Sequence, residues 1–154
     1  MSQRLEFVIE DERWSALDQL EPLCDAMIAE ASEKIDDFRS GAAVVLLTDN
    51  QAVRELNTNF RGKDKPTNVL SFPAPDSEDY PGDIALAYEF CADEADRGGK
   101  SLLFHAVHLI LHGVLHLNGF DHQQEDEADA MEAMEIALLA SQGISNPYLI
   151  NEDP

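Results

Sequence analysis

The segment from Lys100 to Asn118 constrains the fold more than any other part of the chain, because it is apolar on nearly every side and carries four histidines. At 100° per residue, these side chains fall within an arc of about 80° on a helix; they are His105, His108, His112 and His116. A helix that is otherwise apolar all round must be buried. Buried imidazoles need partners, and a metal ion supplies one for at least two of them. The segment therefore predicts a long central helix with a metal-binding face.

The residues after this helix extend the face into a three-histidine motif. His112 and His116 are four residues apart and so lie side by side, and Gly119 is suited to end the helix in a left-handed turn. The turned chain can bring His122 to the same ion. Three imidazoles and one open position are typical of a catalytic zinc, although other divalent transition metals also bind imidazole. One zinc ion is therefore predicted at His112, His116 and His122, with Asp121 either orienting an imidazole or serving as a turn residue.

The remaining patterns mix strands and helices without strict alternation. Strands are predicted at Leu5–Ile9, Ala42–Thr48, Val69–Phe72 and Asp83–Tyr88. Helices are predicted at Glu21–Lys34, from the cap Asp49 to Asn59, at Glu89–Arg97, at Lys100–Asn118 and at Gln123–Ser141. We expect Val53, Leu56 and Phe60 to face inward. We expect the acids of the last helix to form its solvated face; they are Asp126, Glu127, Asp129, Glu132 and Glu135. The predicted fold is a single α+β domain over residues 1–154, with a four-stranded, mostly mixed sheet and about five helices.

Charge and cysteine usage narrow the class of protein. The chain has 10 basic and 31 acidic residues, a net charge of −21, which argues against general binding to DNA or to nucleic acid at large. Arg54, Arg61, Lys63 and Lys65 nevertheless fall in one short segment with only two acids, which suits it to a few phosphates. Two distant cysteines and the absence of a secretory or membrane-spanning segment at the sequence level favour reduced thiols and a cytoplasmic protein.

The motifs resemble those of a known family. The stretch His112-Gly-x-Leu-His-Leu-x-Gly-x-Asp-His122 is similar to that of the YbeY-type endoribonucleases, which are bacterial rRNA maturation factors. The block Phe60–Phe72, the tripeptide Gly82-Asp-Ile84 and the pair His105-x-x-His108 also match, in the family's order. The resemblance implies a single-strand-directed, zinc-dependent endoribonuclease domain that acts in 16S rRNA maturation and ribosome quality control.

By position, the resemblance makes His112, His116 and His122 the zinc ligands and Arg61 the functionally important arginine. Arginine can hold a phosphate by paired hydrogen bonds, and the alternative for Arg61 is a surface ion pair with one of the many acids. Lys63 and Lys65 are predicted to bind the RNA backbone. His105, His108 and Asp83 are candidate cleft residues, and the two histidines can equally be hydrogen-bonded core residues.

Two other functions stay open at this stage. The histidine spacing also occurs in metzincin peptidases, whose glutamate after the first histidine is the general base, but Gly113 occupies that position here. A zinc hydrolase of another substrate is therefore one alternative. The other is a non-catalytic ribosome-associated protein whose zinc only stabilises the fold. The acidic charge suggests that single-stranded rRNA is delivered by the ribosome or by ribosomal proteins.

Overall fold

Four strands form one sheet: β1 (Gln3–Ile9), β2 (Gly41–Thr48), β3 (Val69–Pro73) and β4 (Gly82–Ala87). They lie in the order β1-β2-β4-β3 in a computed structural model that describes residues 3–35, 38–39, 41–75, 80–120 and 124–148. β2 pairs in parallel with β1 and β4, whereas β3 pairs antiparallel with β4. The sheet is therefore mixed, as predicted, and β3 forms one of its edges.

Five α-helices occur among the described residues, together with a short 3₁₀ helix at Glu12–Ala16 that the sequence patterns did not predict. The α-helices are α1 (Leu20–Lys34), α2 (Asn50–Arg61), α3 (Tyr88–Arg97), α4 (Leu102–Leu117) and α5 (Glu125–Ser141). Their ends lie within two residues of the predicted ends, because several helix ends carry capping or terminating residues. Asp49 accepts a hydrogen bond from the Ala52 amide at the start of α2, and Gly62 ends this helix at φ 68°.

Side chains alternate along the strands and divide the core into two layers. On one face, Val45, Leu47 and Ile84 are buried in one core with residues of α1, α4 and α5. On the other face, Leu70 and Ala85 are buried with Val53 of α2. Burial of an apolar face on each side of the sheet is the main source of stability for this α+β architecture.

α4 is the central helix and approaches the sheet closely at Gly113. Ser101 caps its start by accepting a hydrogen bond from the Phe104 amide at 3.0 Å. A Cβ atom at position 113 would lie 3.0 Å from Ser71 Oγ and 3.1 Å from Ile84 Cδ1. Glycine therefore permits a close helix–sheet contact, and a larger residue here would require the Ser71 and Ile84 side chains to shift.

The end of α2 differs from the expected orientation. Val53 is fully buried and Leu56 is partly buried, as predicted, but Phe60 has 69% of its surface exposed. The prediction for Phe60 was wrong because α2 extends to the edge of the sheet. There the side chain contacts the partly buried ring of Phe72 on edge strand β3, with ring centroids 5.7 Å apart.

Both cysteines are free and buried in the core. Burial raises the pKa of the Cys24 and Cys91 thiols, so both stay protonated and unreactive near neutral pH. Within the described part of the chain, no single helix has the length and apolar composition needed to cross a membrane. Only α3 and α4 together reach that length, and they bend by 117° at their junction.

Candidate metal centre and cationic loop

Four histidines form a row along one face of α4. Adjacent ring centroids are 6.5 Å apart between His105 and His108, 6.5 Å between His108 and His112, and 4.6 Å between His112 and His116. All four side chains are neither fully buried nor fully exposed, whereas the apolar residues of the helix from Ala106 onward are buried. The row therefore lines one partly accessible surface of an otherwise buried helix.

The last two rings of the row direct one nitrogen each at the same point. His112 Nε2 and His116 Nε2 are 3.0 Å apart. His112 Nδ1 lies 2.8 Å from Glu135 Oε2, and His116 Nδ1 lies 2.9 Å from the carbonyl oxygen of Phe120. Because both oxygens are acceptors, each neutral ring carries its hydrogen on Nδ1 and turns an Nε2 lone pair toward the other ring.

Two facing lone pairs repel unless a cation or a proton lies between them. Ligand nitrogens of a tetrahedral zinc at about 2.0–2.1 Å stand roughly 3.3–3.4 Å apart, close to the separation found here. The donor set thus fits a metal ion of the zinc type, with both Nδ1 atoms fixed by acceptors in the manner usual for metal-binding histidines.

The predicted third ligand, His122, and its neighbour Asp121 lie outside the described residues. Within the part of the chain that is described, no group of three histidine, cysteine, aspartate or glutamate side chains could hold a metal. The turn that leads toward them is described. Gly119 has φ 93°, and the Phe120 amide donates to the carbonyl of Leu115 at 3.0 Å. α4 ends at Leu117, and Gly119 adopts the left-handed conformation predicted for the turn that terminates it.

Glu135 on α5 is a site residue that the sequence analysis missed. Its side chain is 0% exposed, so its assignment to the solvated face of α5 was wrong, whereas Asp126, Glu127 and Asp129 are exposed and Glu132 is partly exposed. Its position on the helix explains why Glu135 is buried. Glu135 lies four residues after Met131 and three before Leu138, both buried, and this spacing could have revealed its inward position.

The Glu135 carboxylate accepts hydrogen bonds from three side chains. They come from His112 Nδ1 and His108 Nε2, both at 2.8 Å, and from the hydroxyl of Tyr148. Burial alone raises the pKa of the Glu135 carboxyl, but the hydrogen bonds from His108, His112 and Tyr148 outweigh it and hold the pKa at about 2. Burial and the Glu135 contact raise the pKa of Tyr148. A permanently charged carboxylate therefore holds His112 in its orientation.

A recess of about 340 Å³ opens beside this cluster, with His112, Met131, Glu135 and Tyr148 in its wall. A larger recess of about 660 Å³ lies on the polar side of α2, where Arg54 pairs with Asp64 at 2.7 Å. None of the predicted site residues lines the larger recess. Of these two recesses, the smaller one therefore lies at the candidate metal centre.

The other two histidines of the row are held by carboxylates. His105 Nε2 lies 3.0 Å from Glu94 of α3, and His108 contacts Glu135 as described above. The Nδ1 atoms of both rings are buried without a hydrogen-bond partner among the described residues. Burial lowers the pKa of His105 despite the hydrogen bond to Glu94. Of the two, only His108 shares a partner with a predicted metal ligand.

Arg61 ends α2 beside the edge strand. Its Nη2 donates to the carbonyl oxygen of Ser71 at 2.6 Å, and its guanidinium lies 5.4 Å from the centre of the Phe72 ring. Arg61 forms no ion pair with any described residue, so the surface ion pair considered as an alternative is not found there. Because the Ser71 side chain packs against Gly113, Arg61 is anchored to the strand that contacts α4 next to His112.

Lys63 and Lys65 follow in an exposed loop that Asn57 organises. Asn57 is only 2% exposed; its side-chain amide donates to the Lys65 carbonyl at 2.9 Å, and its own carbonyl accepts from the Lys63 amide at 3.1 Å. Asn57 was not singled out from the sequence, where an asparagine in a helix carries no distinctive signal. It fixes the backbone that presents both lysines to solvent.

Asp83 is not brought to the histidine row. It lies on β4 opposite Phe72, and its neighbour Ile84 faces α4. Because successive strand residues face opposite sides of a sheet, Asp83 faces away from α4, toward the side on which Phe72 lies. Burial raises the pKa of this partly buried carboxyl. The expectation that Asp83 lines a cleft with the histidines is therefore wrong, because Asp83 and the histidine row lie on opposite faces of the sheet.

Comparison with known proteins identifies the family. The model of the family described as Endoribonuclease YbeY matches residues 8–143. The chain belongs to the YbeY family. The match includes every predicted site residue from Arg61 to His122 and also Glu135, whereas Tyr148 lies beyond it.

Several proteins named Endoribonuclease YbeY are similar to this YbeY-family chain over most of its length. One from Rhodopseudomonas palustris is 47% identical over 93% of this chain and 80% of its own. One from Maricaulis maris is 44% identical over 97% of this chain and 94% of its own. The solution structure of TM1509 from Thermotoga maritima aligns with a TM-score of 0.57 at 22% identity, covering 96% of this chain and 99% of that one. This last likeness concerns the fold alone.

Proposed function

We propose that this YbeY-family protein is a single-strand-directed, zinc-dependent endoribonuclease that acts in 16S rRNA maturation and ribosome quality control. The relatives named above are endoribonucleases by name, and the histidine motif resembles that family's motif. The observation that carries the proposal is the pair of Nε2 atoms, 3.0 Å apart on His112 and His116, whose Nδ1 atoms are both committed to acceptors.

The metal would be held by His112, His116 and His122, with zinc as the expected ion and another divalent transition metal as the alternative. When bound, zinc polarises a phosphoryl oxygen and lowers the pKa of a coordinated water to about 7. Glu135 keeps the His112 ring turned so that Nε2 points toward Nε2 of His116, where it would be available to a metal ion. The Phe120 carbonyl does the same for His116.

Arg61 supplies positive charge for the scissile phosphate. One of its N–H groups anchors it to Ser71, and the others have no partner among the described residues. A guanidinium fixed in this way can bind two phosphate oxygens and offset the charge that grows on them in the transition state. Lys63 and Lys65 extend the cationic loop along the RNA backbone, and the acidic remainder of the surface discourages binding of long duplexes such as DNA.

The tight packing around Gly113 argues against the peptidase alternative more strongly than the mere absence of a glutamate at this position does. A glutamate at position 113 would begin with a Cβ atom 3.0–3.1 Å from Ser71 and Ile84, so the general base of a metzincin would fit there only if both side chains shifted. A ribosomal substrate would place the protein in the cytoplasm, and its delivery by the ribosome or ribosomal proteins would compensate for the net charge of −21.

The test compares cleavage of single-stranded RNA by the wild type, Arg61→Ala, His116→Ala and the control Arg54→Ala. Metal content and melting temperature are measured for each protein. We expect Arg61→Ala to lose cleavage while it keeps its metal, and His116→Ala to lose both. Arg54→Ala, which removes a cation of the same helix that is already paired with Asp64, should keep activity. Full cleavage by a metal-free His116→Ala would refute metal dependence.

A further inference from the structure

Phe60 and Phe72, together with Arg61, form an exposed aromatic platform at the end of α2. Phe60 has the largest exposed fraction, 69%, of the exposed large hydrophobic side chains in the described part of the chain. Its ring meets Phe72 edge-on, with 5.7 Å between centroids and 63° between planes. The Arg61 guanidinium lies 5.4 Å from the centre of the same Phe72 ring. The Phe60 ring and the Arg61 guanidinium thus both contact Phe72.

The charge around the platform differs from that of the rest of the protein. Residues 54–65 carry four cations and two acids, which is net +2, so the rest of the chain is −23. Arg54 pairs with Asp64, which leaves Arg61, Lys63 and Lys65 as the cations of this segment that form no ion pair with a described residue. A ligand that combines a flat apolar face with negative charge complements this surface, and a nucleotide of single-stranded RNA has both.

The platform is linked to the candidate metal centre through the backbone of β3, although the Phe72 ring itself faces away from α4. Arg61 Nη2 donates to the Ser71 carbonyl at 2.6 Å, and the Ser71 side chain packs against Gly113, the neighbour of His112. Phe60 precedes Arg61 directly in the chain. Because Phe60 and Arg61 both contact the Phe72 ring, a nucleotide whose phosphate is bound by Arg61 has its base within reach of Phe60.

We propose that the Phe60 ring stacks on a base of single-stranded RNA, beside the phosphate that Arg61 binds. The proposal rests on the proposed function, since it assigns a substrate contact to it. Stacking requires an unpaired base, so this contact would select single strands over duplexes, whose bases are stacked on one another. It would tolerate different sequences, because every base offers a flat face.

The experiment measures binding of a fluorescent phosphorothioate RNA of about ten nucleotides to the full chain by anisotropy, with RNA integrity checked by electrophoresis. The proteins are the wild type, Phe60→Ala, Phe60→Trp and the control Phe104→Ala. Phe104 is an exposed phenylalanine on α4, 40% exposed, and is not part of the platform. A second oligonucleotide has the same backbone charge but lacks its bases. Melting temperatures are recorded for every variant.

We expect Phe60→Ala to weaken binding of the RNA by roughly 5- to 150-fold, Phe60→Trp to retain it and Phe104→Ala to leave it unchanged. On the abasic strand, the wild type and Phe60→Ala should bind equally. Equal affinity of the wild type and Phe60→Ala for the RNA with bases would overturn the proposed stacking by Phe60. It would leave the proposed nuclease function unaffected. If Phe60→Ala bound the RNA as tightly as the wild type but no longer bound small ribosomal subunits, Phe60 would be a contact for a protein partner. That outcome would also overturn the proposed stacking. A wild type that neither binds nor cleaves RNA would overturn both proposals.

Discussion

Replacement of Glu135 by glutamine tests whether this buried carboxylate orients the predicted zinc ligand. The carboxylate accepts from His108, His112 and Tyr148 at once and is excluded from solvent. An amide of the same shape keeps one acceptor oxygen but presents an NH₂ group in place of the other. One histidine N–H then faces a donor, so that ring must rotate or change its tautomer.

The expected size of the effect follows from these contacts. If the ring that changes is His112, its Nε2 no longer faces His116, and loss of such a partner typically lowers metal affinity by about 10- to 100-fold. For the metal-free protein, charge-assisted hydrogen bonds contribute about 1.5–3 kcal/mol each, and relief of the buried charge offsets part of their loss. A net destabilisation of roughly 1–3 kcal/mol is expected, which lowers Tm by roughly 3–10 °C in a chain of this size.

The assay is competition for zinc against a chromophoric chelator, combined with thermal unfolding with and without zinc. Glu127→Gln is the control, because Glu127 lies exposed on the same helix and loses the same charge. Tyr148→Phe, which removes one of the three donors, should give a smaller loss than Glu135→Gln. If folded Glu135→Gln bound zinc as tightly as Glu127→Gln, the reasoning about His112 orientation would be refuted.

Three further perturbations test other parts of the structure. Gly113→Val should lose roughly 2 kcal/mol or more in urea unfolding, because its Cβ meets fully buried Ile84 at 3.1 Å; unchanged stability would contradict the close helix–sheet contact. Asn57→Ala should cost roughly 1–3 kcal/mol and weaken RNA binding, since it frees the Lys65 carbonyl, and an unaltered RNA affinity would argue against the role given to the loop. Burial holds the pKa of His105 below its unfolded value of about 6.5. The unfolded state therefore binds more protons, and the free energy of unfolding decreases as the pH falls below that value. Urea unfolding of zinc-free His105→Gln should show a smaller decrease in the free energy of unfolding between pH 7.5 and 5.5 than the wild type.

Much of the architecture is encoded locally. The caps Asp49 and Ser101 and the terminator Gly119 fix where helices begin and end, because each acts through its own backbone neighbours. Helical spacing alone brings His112 and His116 together on one face. Alternating or apolar runs located the four strands, and the mixed sheet and the α+β class were confirmed.

Positions that depend on a second element were predicted less well. Glu135 was assigned to solvent because its acidic neighbours are solvated, although the histidines of α4 give it partners in the core. Phe60 was assigned to the core because its spacing matches Val53 and Leu56, although the sheet ends beneath it. Asp83 was grouped with the histidines, but the pleat of β4 turns it to the other face.

Local patterns in the chain were enough to predict which residues share a helix face, where the elements start and stop, and which family the motifs resemble. The contact between a carboxylate of α5 and His112 became visible in the folded protein, as did the anchoring of Arg61 by the Ser71 carbonyl beside the strand packed on α4. This is because periodicity is a property of one element and its own backbone. Which faces meet depends on the packing of elements that lie far apart in the chain, and no local pattern records that packing.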